Sequence, residues 1–171
     1  MQMRSKLFCR GRLALVAALL TLCQSGGAAS QEPRIYIEPE FGPRVYTGDE
    51  DTRLGHANLL AGNYGLAEQY FRRAVEATHQ NGPAWIGLAA AYDRLARFDL
   101  ADRAYWHAIR LTGENYIVLN NRGYSYLLRG DVRRARRLLE RAWQLAPGDP
   151  TIANNLTVLE SGQGYFFNLW P

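Results

Sequence analysis

Alanine recurs along this chain at a fixed interval of 34 residues. One series comprises Ala67, Ala101 and Ala135, and a second comprises Ala74, Ala108 and Ala142. The two alanines of each unit are seven residues apart, so they lie on one face of an α-helix, where small side chains allow a second helix to approach closely. Self-similarity with this period predicts stacked helical repeats and disfavours most enzyme folds.

Other equivalent positions of the repeats, which we call columns, follow the same 34-residue period. They relate Phe71 to Tyr105 and Leu139, Gly55 to Ala89 and Gly123, Tyr64 to Phe98 and Val132, and Gly62 to Ala96 and Gly130. These columns resemble the tetratricopeptide repeat, in which each unit is a pair of antiparallel helices. The resemblance covers residues 48–161, and it implies an all-α fold, a right-handed α-solenoid of three helix pairs plus a C-terminal capping helix.

The resemblance also divides the chain. Repeats are expected at residues 48–81, 82–115 and 116–149, and the capping helix at residues 150–161. Pro150 stands at the start of that last helix, and no partner helix is predicted after it, so we expect it to cover the third repeat. Because one helix pair cannot bury its apolar face alone, about three repeats are the usual minimum for a stable stack.

The first 30 residues have the layout of a secretory signal peptide. Basic residues precede an apolar run at residues 13–23, and small residues occupy positions 26–30. This run of about 11 residues is too short for a membrane span, which needs about 20. Cleavage after Ala29 or Ser30 is therefore predicted, and the mature chain is expected to be periplasmic or secreted.

Both cysteines, Cys9 and Cys23, lie in this leader. The mature chain is then expected to have no disulfide and no thiolate metal site. Cys23 opens an alternative, an outer-membrane lipoprotein anchored through a lipidated cysteine. Leu22 immediately precedes it, where bacterial lipoproteins carry a small residue, so a cleaved signal peptide without lipid is favoured. Contact with a membrane is expected only if Cys23 is lipidated.

The formal charge of +4 lies entirely in the leader. Beyond residue 30, 16 arginines balance 16 acidic residues, so we expect no binding to nucleic acid, which needs a net basic surface. The strongest arginine cluster comprises Arg129, Arg133, Arg134, Arg136, Arg137 and Arg141. A solvated, charge-balanced helix face is the favoured interpretation of this cluster, and a site for an acidic partner is the alternative.

The residue types that perform catalysis form no recognisable motif. His56, His79 and His107 are far apart in the sequence, without an HExxH pattern or a carboxylate cluster, and nucleotide-binding and nucleophile-elbow patterns are missing. We therefore expect no metal, no cofactor and no enzymatic activity from this chain alone.

In tetratricopeptide solenoids the first helix of each unit lines a concave groove, which takes an extended peptide or a helix of a partner protein. The resemblance assigns groove positions to His56 and Leu59 in repeat one, to Ile86, Ala90 and Asp93 in repeat two, to Asn120, Asn121, Tyr124 and Leu127 in repeat three, and to Asn154 and Asn155 in the cap. These residues are the predicted peptide-binding site. Four of the five groove positions that hold a C-terminal carboxylate in chaperone co-factors are not matched, so that peptide class is not predicted.

The dipeptide Asn-Asn occurs twice, one repeat apart, as Asn120-Asn121 and Asn154-Asn155. A side-chain amide offers one acceptor and two donors, so such a pair can bond the main chain of an extended peptide without contacting its side chains. The alternative is a local capping or turn role. Asparagine is mildly unfavourable inside a helix, which favours the functional interpretation.

Two flanking segments lie outside the repeats. In residues 31–47 the tetrapeptide Pro33-Arg34-Ile35-Tyr36 is echoed ten residues later by Pro43-Arg44-Val45-Tyr46. The prolines oppose helix formation, so extended chain is predicted there. Residues 162–171 contain four aromatic side chains, and this tail is expected either to fold back onto the cap or groove or to dock on a partner or membrane.

Taken together, these features favour an exported adaptor that binds a peptide or helix of a partner protein in its groove. Two alternatives stay open, namely an envelope structural component of a pilus or secretion machine and an accessory subunit of an exported enzyme. The order of leader, short linking stretch, repeats and Asn-Asn-Leu helix resembles the small repeat proteins of pilus assembly, especially the Tad-type lipoproteins.

Overall fold

The computed structural model describes residues 34–35 and 48–162. Within these residues the chain forms seven α-helices and no β-strand. The helices are α1 (Asp49–Leu60), α2 (Tyr64–Ala77), α3 (Gly82–Arg94), α4 (Phe98–Thr112), α5 (Tyr116–Leu128), α6 (Val132–Leu145) and α7 (Pro150–Ser161). The all-α helical repeat predicted from the alanine period is confirmed. No helix in this part of the chain has the length and apolar character that a membrane span requires.

Several sequence predictions concern residues outside this range. The leader with Cys23, the second tetrapeptide at residues 43–46 and the aromatic tail from residue 163 onward all lie outside the described residues. Of the first tetrapeptide, the structure describes Arg34 and Ile35.

The helices pair in chain order. α1 packs on α2, α3 on α4 and α5 on α6, and the pairs are joined by contacts of α2 with α3, α4 with α5 and α6 with α7. The odd-numbered helices also contact one another from α1 through α3 and α5 to α7, whereas the described residues of α2, α4 and α6 make no such contacts. The stack therefore curves, and the first helix of each pair lines its concave face.

Short polar side chains mark where helices begin. The side chains that accept hydrogen bonds from main-chain N–H groups of the first turn are Asn81 before α3, Asn115 before α5, Asp131 before α6 and Asp149 before α7. Such a cap satisfies a donor that has no partner within the helix, and replacing one with alanine typically costs about 1 kcal/mol. Asn81 also donates to Thr52 Oγ1 (3.0 Å), which joins repeat two to repeat one.

The backbone conformation explains why small residues recur at the turn within each helix pair. Gly62, Ala96 and Gly130 follow α1, α3 and α5, and their φ angles are 78°, 55° and 74°. This left-handed conformation ends a helix and reverses the chain toward its antiparallel partner. Glycine adopts it without strain, whereas Ala96 bears a steric cost.

The remaining columns form the interior. The six repeat alanines are fully buried, as are Phe71, Tyr105 and Leu139 between them. A Cβ atom added at Gly87 would lie 2.3 Å from the ring of Phe71, so the α3 backbone touches that ring at a distance that excludes a larger residue. Small residues thus set the spacing between helices, and the large apolar residues fill what remains.

Candidate functional site

An extended stretch of the chain's own N-terminal flank contacts the concave face. The N–H of Arg34 donates to Asn155 Oδ1 (2.6 Å), and Asn155 Nδ2 donates to the Arg34 carbonyl oxygen (2.7 Å). Only an extended residue directs its N–H and C=O to the same side, as in a hydrogen-bonded pair of antiparallel strands. The amide of Asn155 therefore takes the place of a neighbouring strand. We call residues 34–35 the bound segment.

Asn155 is held in place by the other asparagine pair. Its second Nδ2 hydrogen is donated to Asn120 Oδ1 (2.9 Å), and Asn120 Nδ2 donates to Asn121 Oδ1 (3.2 Å). We call Asn120, Asn121 and Asn155 the Asn155 cluster, and each of these side chains is fully buried. Turning the Asn155 amide over would place Oδ1 against two acceptors, so its orientation is fixed by the contacts around it.

The bound segment also makes apolar contact. Ile35 is partly buried against the main apolar core, whereas the Arg34 side chain is exposed. A cavity of about 260 Å³ lies beside the segment, and the residues that line it are Arg34, Ile35, Leu59, Leu60, Tyr64, Arg94 and Tyr124. Leu60 is 74% exposed at its rim. The site therefore has two parts. The Asn155 side chain on α7 bonds the main chain of the segment, and an apolar hollow lies between α1, α2, α3 and α5.

Arg94 forms the polar wall of that hollow. Its Nη1 donates to the Tyr124 hydroxyl (2.7 Å), its Nη2 donates to the Tyr64 hydroxyl, and its guanidinium lies over the Tyr64 ring, 4.6 Å from the centroid. Burial raises the pKa of Tyr124, so this hydroxyl stays protonated. Arg94 thereby links all three repeats at the floor of the groove, a role that the sequence analysis did not assign to it.

A second buried polar cluster lies deeper in the stack. We call it the Asp93 cluster, and its members are Asp93, Asp102, Tyr105, Ser125 and Arg129. Asp93 accepts hydrogen bonds from Tyr105 OH (2.8 Å) and Ser125 Oγ (2.6 Å), and Arg129 forms a bidentate pair with Asp102 (2.8 Å for each bond). Burial raises the pKa of Asp93 to about 7, although the two hydroxyl donors and Arg129 act in the opposite direction.

Arg129 therefore differs from the solvated face expected for the arginine cluster of repeat three. Its guanidinium lies 4.9 Å from the ring centroids of both Phe98 and Tyr126 and 3.9 Å from Asp93 Oδ1. It precedes α6 and turns inward. Arg134, Arg136 and Arg141 of α6 are exposed and pair with acidic neighbours, as that interpretation predicted.

Four of the predicted peptide-binding residues have buried side chains and do not line the hollow beside the bound segment, so their part in peptide binding stays a prediction. Ile86 and Ala90 belong to the core around Phe71, and Leu127 packs with Leu139. Asp93 is 2% exposed, and both of its oxygens accept bonds from neighbouring helices. The repeat period places these residues on the first helix of each pair but does not fix which way each side chain points within the packed stack.

The other predicted peptide-binding residues lie in the site, behind it, or elsewhere on the first helices and the cap. Asn155, Leu59 and Tyr124 contact or line the site of the bound segment, and Asn120 and Asn121 support Asn155 from behind. Asn154 is partly buried on α7. His56 packs edge-to-face against Phe71 (5.1 Å between centroids), and burial lowers its pKa to about 4, so its imidazole is neutral.

Within the described residues no group of three or more His, Cys, Asp and Glu side chains is arranged to hold a metal ion. Tyr64 and Arg94, which the sequence analysis did not include in the site, both line the hollow. Tyr64 belongs to a repeat column, but no sequence pattern connects either residue to Ile35.

The groove matches the architecture of known proteins. Residues 52–81 match the family model described as tetratricopeptide repeat. The anaphase-promoting complex subunit cut9 of Schizosaccharomyces pombe is 30% identical over 106 residues, which cover 62% of this chain but 16% of that protein. This chain thus spans about a sixth of that relative's length.

Solved structures show the same arrangement of helices. The Cut9–Hcn1 hetero-tetramer of the APC/C matches with a TM-score of 0.62 and 25% identity, over 70% of this chain and 23% of that one. PilF of Pseudomonas aeruginosa matches with a TM-score of 0.59 and 27% identity, over 69% and 54%. The first repeat domain of Spaghetti (RPAP3), solved with an HSP90 peptide, matches in fold at 21% identity and a TM-score of 0.59, over 68% and 92%.

The fold and the matched repeat support the tetratricopeptide repeat family. Proteins of this class present concave surfaces to other proteins and are generally scaffolds without catalytic activity.

Proposed function

We propose that this chain is an exported adaptor that holds an extended peptide of a partner protein in its concave groove. One observation carries the proposal, the pair of hydrogen bonds between the Asn155 amide and the main chain of Arg34. Main-chain hydrogen bonds give affinity for any extended segment, and adjacent pockets select its side chains.

The groove is suited to an aliphatic side chain next to the residue that Asn155 holds. Ile35 occupies this place, and Leu59, Leu60 and the ring of Tyr64 surround the hollow beside it. Arg34 projects into solvent, so the residue bonded to Asn155 needs no particular side chain. A partner peptide is therefore expected to be extended and to carry an aliphatic residue after the one whose main chain Asn155 bonds.

A displayed library of random peptides tests this proposal. The library is panned on the full chain and on an Arg34→Pro variant, which lacks the N–H group that Asn155 Oδ1 accepts. We expect enriched peptides that bind less tightly, by about tenfold or more, when Asn155 is changed to alanine. Methylation of one backbone nitrogen of such a peptide is expected to weaken binding similarly, with the protein unaltered.

Thr157→Ala is the matched control. Thr157 is exposed on the same helix, and its hydroxyl bonds the helix's own Ala153 carbonyl (2.9 Å), so peptide binding is expected to be unchanged. Binding that is equal in the Asn155→Ala and unaltered chains, or no enriched peptide on either target, would contradict the proposal. Circular dichroism of each variant checks that the helices are intact.

A second candidate is an envelope structural component of a pilus or secretion machine. The signal-peptide layout of the leader and the resemblance of the chain's layout to Tad-type lipoproteins support it. The intact mass of the protein purified from a bacterial envelope distinguishes the two. Lipid on Cys23 and co-fractionation with a membrane complex support the structural component, whereas a chain that starts near residue 30 without lipid supports the exported adaptor.

A further inference from the structure

We infer that the bound segment is a resident ligand of the groove, which a partner peptide of the same kind must displace. This inference rests on the proposed function, because it identifies what occupies the groove before a partner arrives. Its basis is the contact of residues 34–35 with Asn155 and with the apolar core, between positions that are 121 residues apart in the chain.

The contacts have the character of a ligand rather than of a structural element. Two hydrogen bonds to one amide and one partly buried side chain attach residues 34–35, and Arg34 is exposed. Consecutive helices from α1 to α7 contact one another directly, and the buried members of the three apolar clusters all belong to helices, with Ile35 packed against one cluster as a partly buried neighbour. The segment can therefore leave while the helical stack stays folded, as a bound peptide would.

The tether explains why weak contacts suffice. Residues 36–48 connect the bound segment to α1, a span of thirteen residues. A ligand on a short linker is present at an effective concentration of about millimolar, so even a weak contact keeps it in place. A partner then binds with an affinity that is reduced by the fraction of molecules whose groove is open.

The chain itself supplies the matched control for this segment. The pattern Pro-Arg-aliphatic-Tyr occurs at residues 33–36 and again at residues 43–46. Arg34→Pro removes the N–H that Asn155 Oδ1 accepts, whereas Arg34→Ala keeps it and alters only an exposed side chain. Arg44→Pro makes the same change in the second tetrapeptide, and the two hydrogen bonds to Asn155 are made by Arg34.

The experiment measures binding of a labelled synthetic peptide with the sequence of residues 31–38 to the full chain by fluorescence anisotropy. We expect the Arg34→Pro chain to bind this peptide about tenfold or more tightly than the unaltered chain, since its own segment no longer competes. Arg34→Ala and Arg44→Pro are expected to bind as the unaltered chain does. Replacing the isoleucine of the peptide that corresponds to Ile35 with aspartate is expected to abolish binding.

Equal binding to the unaltered and Arg34→Pro chains overturns the inference, and so does an equal gain from Arg44→Pro. A peptide affinity that depends on protein concentration, with a dimer seen by light scattering, also overturns it, because the segment would then fill the groove of a second copy. If library peptides bind through Asn155 but the peptide of residues 31–38 does not bind, the inference fails and the proposed function stands. If no peptide binds either chain, the proposed function fails as well.

Discussion

The two buried polar clusters have similar hydrogen-bonding side chains but different partners. The Asp93 cluster joins helices α3, α4 and α5 with Arg129 at the end of α5, and its partners all lie within the helical stack. The Asn155 cluster joins α5 to α7, and its outermost hydrogen bonds are made with the main chain of Arg34. A polar cluster that is completed by helices stabilises the stack, whereas one that is completed by an extended segment can exchange that segment for another.

Charge reinforces this difference. Asp93 and Asp102 lie on either side of Arg129, so removing Arg129 leaves the buried Asp93 without the cation beside it. The asparagines of the other cluster are neutral, and a neutral amide that loses its partner is less costly to bury and can be solvated where the groove opens. The following predictions compare the two clusters, in order of expected effect.

Asp93→Ala is expected to have the largest effect. It leaves Tyr105 OH and Ser125 Oγ without their acceptor, and we expect the free energy of unfolding to fall by about 3 kcal/mol. Urea denaturation followed by circular dichroism measures this change. Tyr105→Phe, which removes one hydroxyl from the same acceptor, is the milder control and is expected to cost about 1 kcal/mol. A loss below that of Asn155→Ala would break the comparison.

The Asp93 cluster should also make stability depend on pH. Because burial raises the pKa of Asp93 to about 7, the folded state keeps a proton that the unfolded chain releases near pH 4. Its contribution is therefore fully present below about pH 4 and is lost as the pH rises to about 7, so this group lowers the free energy of unfolding across that interval. Asp93→Asn is expected to remove the contribution of this group, and urea titrations of both chains at successive pH values measure the difference.

His56 changes the pH dependence of stability in the opposite direction to Asp93, so the two contributions must be measured separately. Burial lowers its pKa to about 4, so its stabilising contribution is present above about pH 6.5 and is lost as the pH falls to about 4. In Asp93→Asn we therefore expect stability to rise with pH across this interval, because only the histidine contribution is left. An Asp93→Asn chain with the same pH profile as the unaltered chain would show that Asp93 does not titrate between pH 4 and 7.

Asn155→Ala is expected to cost about 1 kcal/mol of stability, less than Asp93→Ala, because it removes neutral hydrogen bonds. Its larger effect should be on the bound segment. Trypsin cleaves after arginine, and we expect cleavage after Arg34 to become about tenfold faster once its carbonyl is no longer bonded to Asn155. Thr157→Ala should leave the cleavage rate unchanged, and an unchanged rate in Asn155→Ala would mean that this amide does not hold the segment.

Arg34→Ala is expected to have the smallest effect. The side chain is exposed, and the contacts with Asn155 use only main-chain atoms, so stability should change by less than about 0.5 kcal/mol. Hydrogen exchange measured by NMR should show the amide at position 34 as strongly protected as in the unaltered chain. Faster exchange at this amide would indicate that the arginine side chain, and not the main chain alone, holds the segment.

Periodicity predicted the interior better than it predicted the groove. The alanine columns and Phe71 are buried as the 34-residue repeat requires, because equivalent positions of every repeat pack against the same neighbouring helices. The resemblance to the tetratricopeptide repeat assigned Ile86 and Leu127 to the groove, and in the structure their side chains are buried in apolar clusters. A helix that packs against neighbours on several sides buries more than one face, and the repeat pattern does not separate those faces.

The asparagine dipeptides show both what the sequence pattern predicted and what it did not. Their spacing predicted a pair of amides suited to an extended main chain, and Asn155 makes this kind of contact. Asn120 lies behind Asn155, from which it accepts a hydrogen bond, and it donates one to Asn121. The sequence also indicated extended chain at residues 33–36 without connecting it to the groove.

The sequence by itself determined the repeat, the buried small residues between helices and the turn positions that follow α1, α3 and α5 in this protein. These features depend on neighbours within a few residues or on a fixed period, so each leaves a local signature in the chain. Only the tertiary structure decided that Asp93 is enclosed while Asn155 meets Arg34, since these contacts join residues on different repeats and, for Arg34, 121 positions away. Which of two equally polar side chains reaches the groove depends on how the helices pack around it, and no local pattern records that packing.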